Sequence, residues 1–191
     1  DALTDAAKRG IAEYLGDRKL GAGAIGAVDR MSNRCTAAAL AGARRNIRGD
    51  WNGWGVDLSN TRSQPAGSAG LTLAHVPQLT LKWAFAVPGA TAVYGQPTAV
   101  GGRLFVGADT GYVYALDQDT GCVHWAYQAQ AGVRSAVTVG SIGGARQGAF
   151  FGDMKGNVYA VDVATGGLVW TKRVDDHVLA RGSTVGIGEK V

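Results

Sequence analysis

The sequence predicts an all-β fold of four-stranded sheets set side by side, preceded by an α-helix and a linker. Three observations predict it. Glycine is over-used, at 30 of 191 residues, about twice its usual share of about 7%. An internal Gly costs a helix about 1 kcal/mol relative to Ala. From Trp51 onward, short β-rich runs alternate with Gly, Asp and Thr turns. Finally, a unit repeats. Gly111-Tyr-Val-Tyr-Ala-Leu-Asp117-Gln-Asp-Thr120-Gly121-Cys-Val-His-Trp125 recurs as Gly156-Asn-Val-Tyr-Ala-Val-Asp162-Val-Ala-Thr165-Gly166-Gly-Leu-Val-Trp170, displaced by 45 throughout. A partial third copy ends at Leu81-Lys82-Trp83, so the three tryptophans are spaced by 42 and 45 residues. A period of about 40–50 residues with four short strands per unit marks the blades of a β-propeller.

Residues 1–19 come first, as a helical region. Leu3 serves as a hydrophobic staple, Thr4 as the N-cap, and Asp5 favours the positive dipole end. Ala7, Ile11, Tyr14 and Leu15 share one face, and Gly16 stops the helix. Residues 20–50 are rich in Ala, Gly and Arg without a firm period and read as a linker, with a short helix near Thr36–Ala43. Residues 51–191 form an incomplete propeller of about two blades. The first blade is expected to use Gln96–Val100, Arg103–Gly107, Tyr112–Leu116 and Cys122–Tyr127. The second is expected to use Ser135–Ser141, Gly148–Asp153, Asn157–Val161 and Leu168–Arg173. Third strands apolar on both faces fit sheets sandwiched between neighbours. Two blades alone leave flat faces uncovered, as truncated repeat arrays do.

The repeated Ala-x-Asp-x-x-Thr-Gly-x-x-x-Trp has a mechanical logic. Asp117 and Asp162 end a strand and accept backbone N–H bonds across the turn. Gly121 and Gly166 supply its left-handed residue. Trp125 and Trp170 then bury a ring between blades while the indole N–H finds a carbonyl.

Composition excludes several classes. The net charge of +4 divides into nine Lys/Arg against six Asp/Glu before residue 51 and ten against nine after it. That excess is too small and scattered for a nucleic-acid surface. No apolar run reaches the length of about 18 residues needed for a membrane span. Phosphate-loop, nucleophile-elbow and dinucleotide motifs are absent, and Asp117-x-Asp119-x-Gly121 lacks the acidic twelfth position of a calcium loop. Cys35 and Cys122 match no metal spacing, and sequence alone leaves them either paired or free.

The Ala-x-Asp-x-x-Thr-Gly-x-x-x-Trp unit resembles the tryptophan-docking motif of pyrroloquinoline quinone (PQQ) dehydrogenase propellers. Trp51-Asn-Gly-Trp54-Gly-Val-Asp-Leu-Ser-Asn60-Thr-Arg62 resembles their opening segment. Val76-Pro-Gln-Leu-Thr-Leu-Lys-Trp83-Ala-Phe resembles their first strand, which closes the last blade of the ring. Thr120–Trp125 with Gly132-Val-Arg134-Ser-Ala136 is similar to the polyvinyl-alcohol-dehydrogenase branch, and the first helix resembles the final helix of a cytochrome c domain. The departures are specific. No CxxCH occurs, Tyr94 stands where related enzymes carry a Glu, and Cys122 lacks the adjacent cysteine that stacks on the quinone. The sequence after Arg181 drifts from the family.

The resemblance implies part of a periplasmic quinoprotein that oxidises an alcohol, polymeric or secondary, and passes electrons to cytochrome c. It implies PQQ as cofactor, calcium held by ligands in later blades, and haem c in an upstream region. The 191-residue piece alone is expected to be inactive. Arg134 is the leading candidate for cofactor binding: it begins an inner strand near the channel, and a guanidinium suits the three carboxylates and adjacent quinone oxygens of PQQ. An inter-blade ion pair is its plainer alternative. Ser135 is a second candidate, as a donor to a carboxylate, and Arg181 occupies the matching place one blade on. His75, His124 and His177 read as surface or packing residues. The alternative functions are a non-catalytic propeller scaffold that binds proteins, since fold does not fix function, and an inactive gene remnant.

Overall fold

The computed structural model describes residues 4, 6–7, 10–11, 14, 31–37, 49–56, 59–177 and 180–181. Eight strands form two separate four-stranded antiparallel sheets. Blade one is β1 (Thr98–Val100), β2 (Arg103–Gly107), β3 (Tyr112–Asp117) and β4 (Val123–Gln128); blade two is β5 (Thr138–Ser141), β6 (Gln147–Gly152), β7 (Asn157–Asp162) and β8 (Leu168–Arg173). Each sheet runs in sequence order, so every connection is a hairpin. The expected strands match these within a few residues. The two first strands are shorter than expected: Pro97 has no N–H for a ladder, and Ser135–Val137 run ahead of the register of β6.

β3 is buried along its whole length and β7 along most of it, which fits sheets covered on both sides. One apolar cluster joins the blades through Phe105, Val113 and Trp125 on one side and Val139, Phe151 and Tyr159 on the other. A second cluster covers the opposite face of blade one, where Trp83, Phe85 and Val87 pack on Tyr114, Leu116 and Val123. Among the described residues blade two has no such cover: β8 is exposed throughout, and Trp170 is 41% exposed where Trp125 is 5%. That is the uncovered face expected of an incomplete ring.

The indoles act as wedges between sheets. The Trp125 N–H donates to the Val163 carbonyl at 2.9 Å, and that of Trp83 donates to Gln118 at 3.1 Å. Each ring lies flat against the turn glycine of the next unit. A Cβ on Gly166 would sit 2.6 Å from Trp125, and one on Gly121 would sit 2.6 Å from Trp83. Both glycines have positive φ, at 73° and 71°. Asp117 accepts from the N–H groups of Asp119 and Thr120 and from the Thr120 hydroxyl; Asp162 repeats this with Ala164 and Thr165.

The segment resembling a first strand differs from expectation. Residues 79–87 belong to no strand. A strand needs a ladder partner, and this segment packs on blade one through its side chains without joining the ladder of either sheet. Ahead of it, the sequence reading missed a four-residue helix, α1 (Ala66–Ala69), and a 3-10 turn over Leu73–Gln78.

Of the first helix, residues 6, 7, 10, 11 and 14 are helical, and the Thr4 hydroxyl accepts from the Ala7 N–H at 3.2 Å, the N-cap bond expected of it. The remainder of that helix, and most of the helix expected over Thr36–Ala43, lie outside the described residues. Cys35 and Cys122 form a disulfide.

Candidate functional site

The first strands of the two blades face one another. Trp51 bridges β1 through paired backbone bonds with Ala99, at 2.7 and 2.9 Å. The next residue reaches β5: the Asn52 amide donates to the Val139 carbonyl and accepts from the Val139 N–H, each at 2.8 Å. Asn52 thereby copies a strand residue with its side chain, and residues 51–52 span both inner edges. Thr98 tightens the same seam, accepting from the Gly53 N–H and donating to the Val137 carbonyl. The seam fits the opening segment of the resemblance.

The candidate residues lie at the loops that lead into these inner strands. Arg134 stands four residues before β5 and is exposed. Its guanidinium carbon lies 4.3 Å from the centre of the Tyr94 ring. Tyr94 stands four residues before β1, the equivalent place in blade one, and is 55% exposed. The pair is a cation–π contact, which holds a guanidinium flat without neutralising it. Among the described residues no ion pair accompanies this contact. Arg181 is exposed and lies eight residues after the end of β8, where Arg134 lies six after the end of β4, so the two are not at matching repeat positions.

Ser135 is fully buried. Its hydroxyl donates to the Gly152 carbonyl at 3.1 Å and accepts from the Gly152 N–H at 3.0 Å. It fixes the backbone beside Arg134 and has no donor left for a ligand. Gly95, its counterpart in blade one, approaches so closely that an added Cβ would meet the Ser135 carbonyl at 2.7 Å. The loop before Tyr94 is anchored too. The Asp109 carboxylate accepts from the Thr91 hydroxyl and from the N–H groups of Thr91 and Ala92. The Thr91 hydroxyl is the largest of the influences that hold this carboxyl below the ordinary carboxylate value.

Two polar atoms in the β2–β3 turn are buried without a partner: Asp109 Oδ1 and Thr110 Oγ1. At this end the exposed Arg134 guanidinium is a donor open to a ligand, and a guanidinium suits a carboxylate. The histidines do not join it. His124 lies 3.6 Å from the Asp117 carboxylate at the β3–β4 turn, and the His177 N–H donates to Asp175. Cys122 is likewise remote from this end, since its disulfide partner reaches it on the outer edge of blade one. Among the described residues no three His, Cys, Asp or Glu side chains gather as metal ligands.

Sequence reasoning singled out Arg134 but missed its partner. Tyr94 was visible only as a departure from a resemblance, and no local signal marks a cation–π contact between loops 40 residues apart.

The comparisons with known proteins agree with this architecture. Residues 54–184 match the family PQQ_2, described as "Outer membrane protein assembly factor BamB". A polyvinylalcohol dehydrogenase of Pseudomonas sp. is 45% identical over 130 residues, covering 66% of this chain and 20% of its own length. The same enzyme of Sphingopyxis sp. (strain 113P3) is 38% identical over 130 residues, covering 66% of this chain and 19% of its own. The crystal structure of quinohemoprotein alcohol dehydrogenase from Comamonas testosteroni matches with a TM-score of 0.51 at 27% identity, over 77% of this chain and 22% of that one. The matched region thus spans about one fifth of these relatives. With a repeat-built pair of propeller blades and a match over most of its length, the chain belongs to the PQQ_2 family.

Proposed function

We propose that the chain works as part of a longer quinoprotein alcohol dehydrogenase of the polyvinyl-alcohol type, which oxidises an alcohol and passes the electrons to a c-type cytochrome. The observation that carries this reading is the exposed Arg134 guanidinium, laid on Tyr94 at the inner end of two blades that are 45% identical to a polyvinylalcohol dehydrogenase. In this reading residues 1–19 close a cytochrome c-like region, residues 20–50 link it to the propeller, and residues 51–191 supply its first blades. Calcium ligands and haem c belong to parts of the protein outside this chain.

PQQ, when bound, would take up the two electrons and two protons that the alcohol loses, formally a hydride and a proton. The residues of this chain bind and orient. Arg134 and Arg181 direct guanidinium forks at carboxylate or quinone oxygens, where a fixed positive charge favours added negative charge. Tyr94 lies against the Arg134 guanidinium and orients it. Ser135 fixes the backbone beside Arg134 through Gly152.

A periplasmic location is supported by the Cys35–Cys122 disulfide, since disulfides persist in oxidising compartments. Among the described residues no helix is long and apolar enough to cross a membrane.

The test is titration of the full-length protein with PQQ and calcium, followed by a dye-linked alcohol assay. The reading expects saturable binding, alcohol-dependent dye reduction, and a PQQ affinity about tenfold lower in Arg134→Ala, the usual effect of losing one charge-assisted bond. A full-length protein that ignores PQQ but retains a protein partner would establish the scaffold function instead.

A further inference from the structure

Among the described residues, the outer edge of blade one carries an attachment and that of blade two carries none. Residues 33–35 meet β4 at one isolated bridge. The Val123 N–H donates to the Asn33 carbonyl at 2.9 Å, and the Cys35 N–H donates to the Val123 carbonyl at 3.0 Å. Together they make a parallel bridge between Arg34 and Val123. The Cys35–Cys122 disulfide closes over this bridge, joining residues separated by 87 in sequence. Met31 packs into the apolar cluster that covers this face of blade one.

The repeat supplies an internal control. Val123 pairs with Leu116 as Leu168 pairs with Val161, so Leu168 occupies the same register position in blade two. Position 167 there is Gly, where blade one has Cys122. The turn itself does not need a cysteine, because Gly167 closes it with the same bond: its carbonyl accepts from Asp162 at 2.8 Å, as that of Cys122 accepts from Asp117 at 2.8 Å. The thiol at 122 therefore has a task other than building the blade. An uncovered outer strand offers unpaired N–H and C=O groups to any extended chain.

We infer that residues 33–35 act as a short, covalently held edge strand, one bridge long, which caps β4 at Val123 and moors the region upstream of the propeller to the outer rim of blade one. The two thiols become one disulfide by giving up two electrons and two protons to a thiol–disulfide oxidant. Contacts to PQQ play no part in this inference, which stands or falls separately from the proposed activity.

Amide hydrogen exchange on the oxidised full chain decides it. The Val123 amide is expected to exchange at least about tenfold more slowly than Leu168, since a paired edge amide opens less often than a solvated one. Equal rates would overturn the edge strand. Reduction with dithiothreitol, or the pair Cys35→Ser and Cys122→Ser, is expected to bring Val123 up to the Leu168 rate while amides of β2 and β6 stay protected. Val123 remaining slow after reduction would show that the disulfide does not hold the strand. Loss of protection across both sheets would show that the clasp is part of the blade core rather than an added edge. Both of these results overturn the inference.

Discussion

Asp153 is fully buried, and its carboxylate accepts from the Lys155 and Asn157 N–H groups, the Asn157 amide and the Tyr159 hydroxyl. Burial pulls its pKa up, but the hydrogen bonds outweigh burial and leave the pKa below the ordinary value. Its partner Tyr159 is pushed the other way, to about 12, first by burial. Because the folded pKa is depressed, the unfolded chain binds the proton more readily. The stabilisation is therefore complete above the unfolded value and lost as pH falls through the folded one. Urea midpoints are expected to drop steeply below about pH 4 in the wild type, the range set by an unfolded carboxyl, and less steeply in Asp153→Asn. Asp153→Ala should cost about 3 kcal/mol at neutral pH, as removing one member of a buried network does. Asp117 and Asp162 were legible as turn anchors because the repeat prints them twice. Asp153 was not, since its counterpart in blade one is Ala108 and only packing reveals the network. The same holds for Tyr94 beneath Arg134.

At the scale of elements, the hairpins were readable almost to the residue. Alternation, turn glycines and the period of 45 all act within one sheet. Contacts between distant segments were not readable. The inner seam of residues 51–52, the short helical turns before residue 79 and the edge bridge of residues 33–35 depend on which surfaces meet. The disulfide closes a long loop, and removing it should cost about 2–4 kcal/mol, mainly by loosening the unfolded chain. A thermal scan with and without reductant reads that cost directly. The two repeat tryptophans should also part company. Trp125→Ala empties a buried wedge and is expected to cost about 3–5 kcal/mol. Trp170→Ala, on a face that is 41% exposed, should cost less than about half as much in this chain. Denaturant unfolding of the two variants makes the comparison.

For the whole molecule, the architecture rests on how one blade meets the next. The Trp125 ring lies on Gly166 with its N–H on Val163, and the seating of one sheet on the next rests on that contact. A double-mutant cycle between Trp125→Ala and Gly166→Ala measures it directly. In the wild-type background, Gly166→Ala forces a Cβ into the indole at a residue with φ of 73° and should cost about 2–4 kcal/mol. With the ring removed, only the backbone strain of about 1 kcal/mol remains. The account predicts this non-additivity, a coupling of at least about 1 kcal/mol, as expected for residues in contact. Additive costs would mean that the indole does not rest on the next blade, and the radial arrangement of the sheets would be wrong.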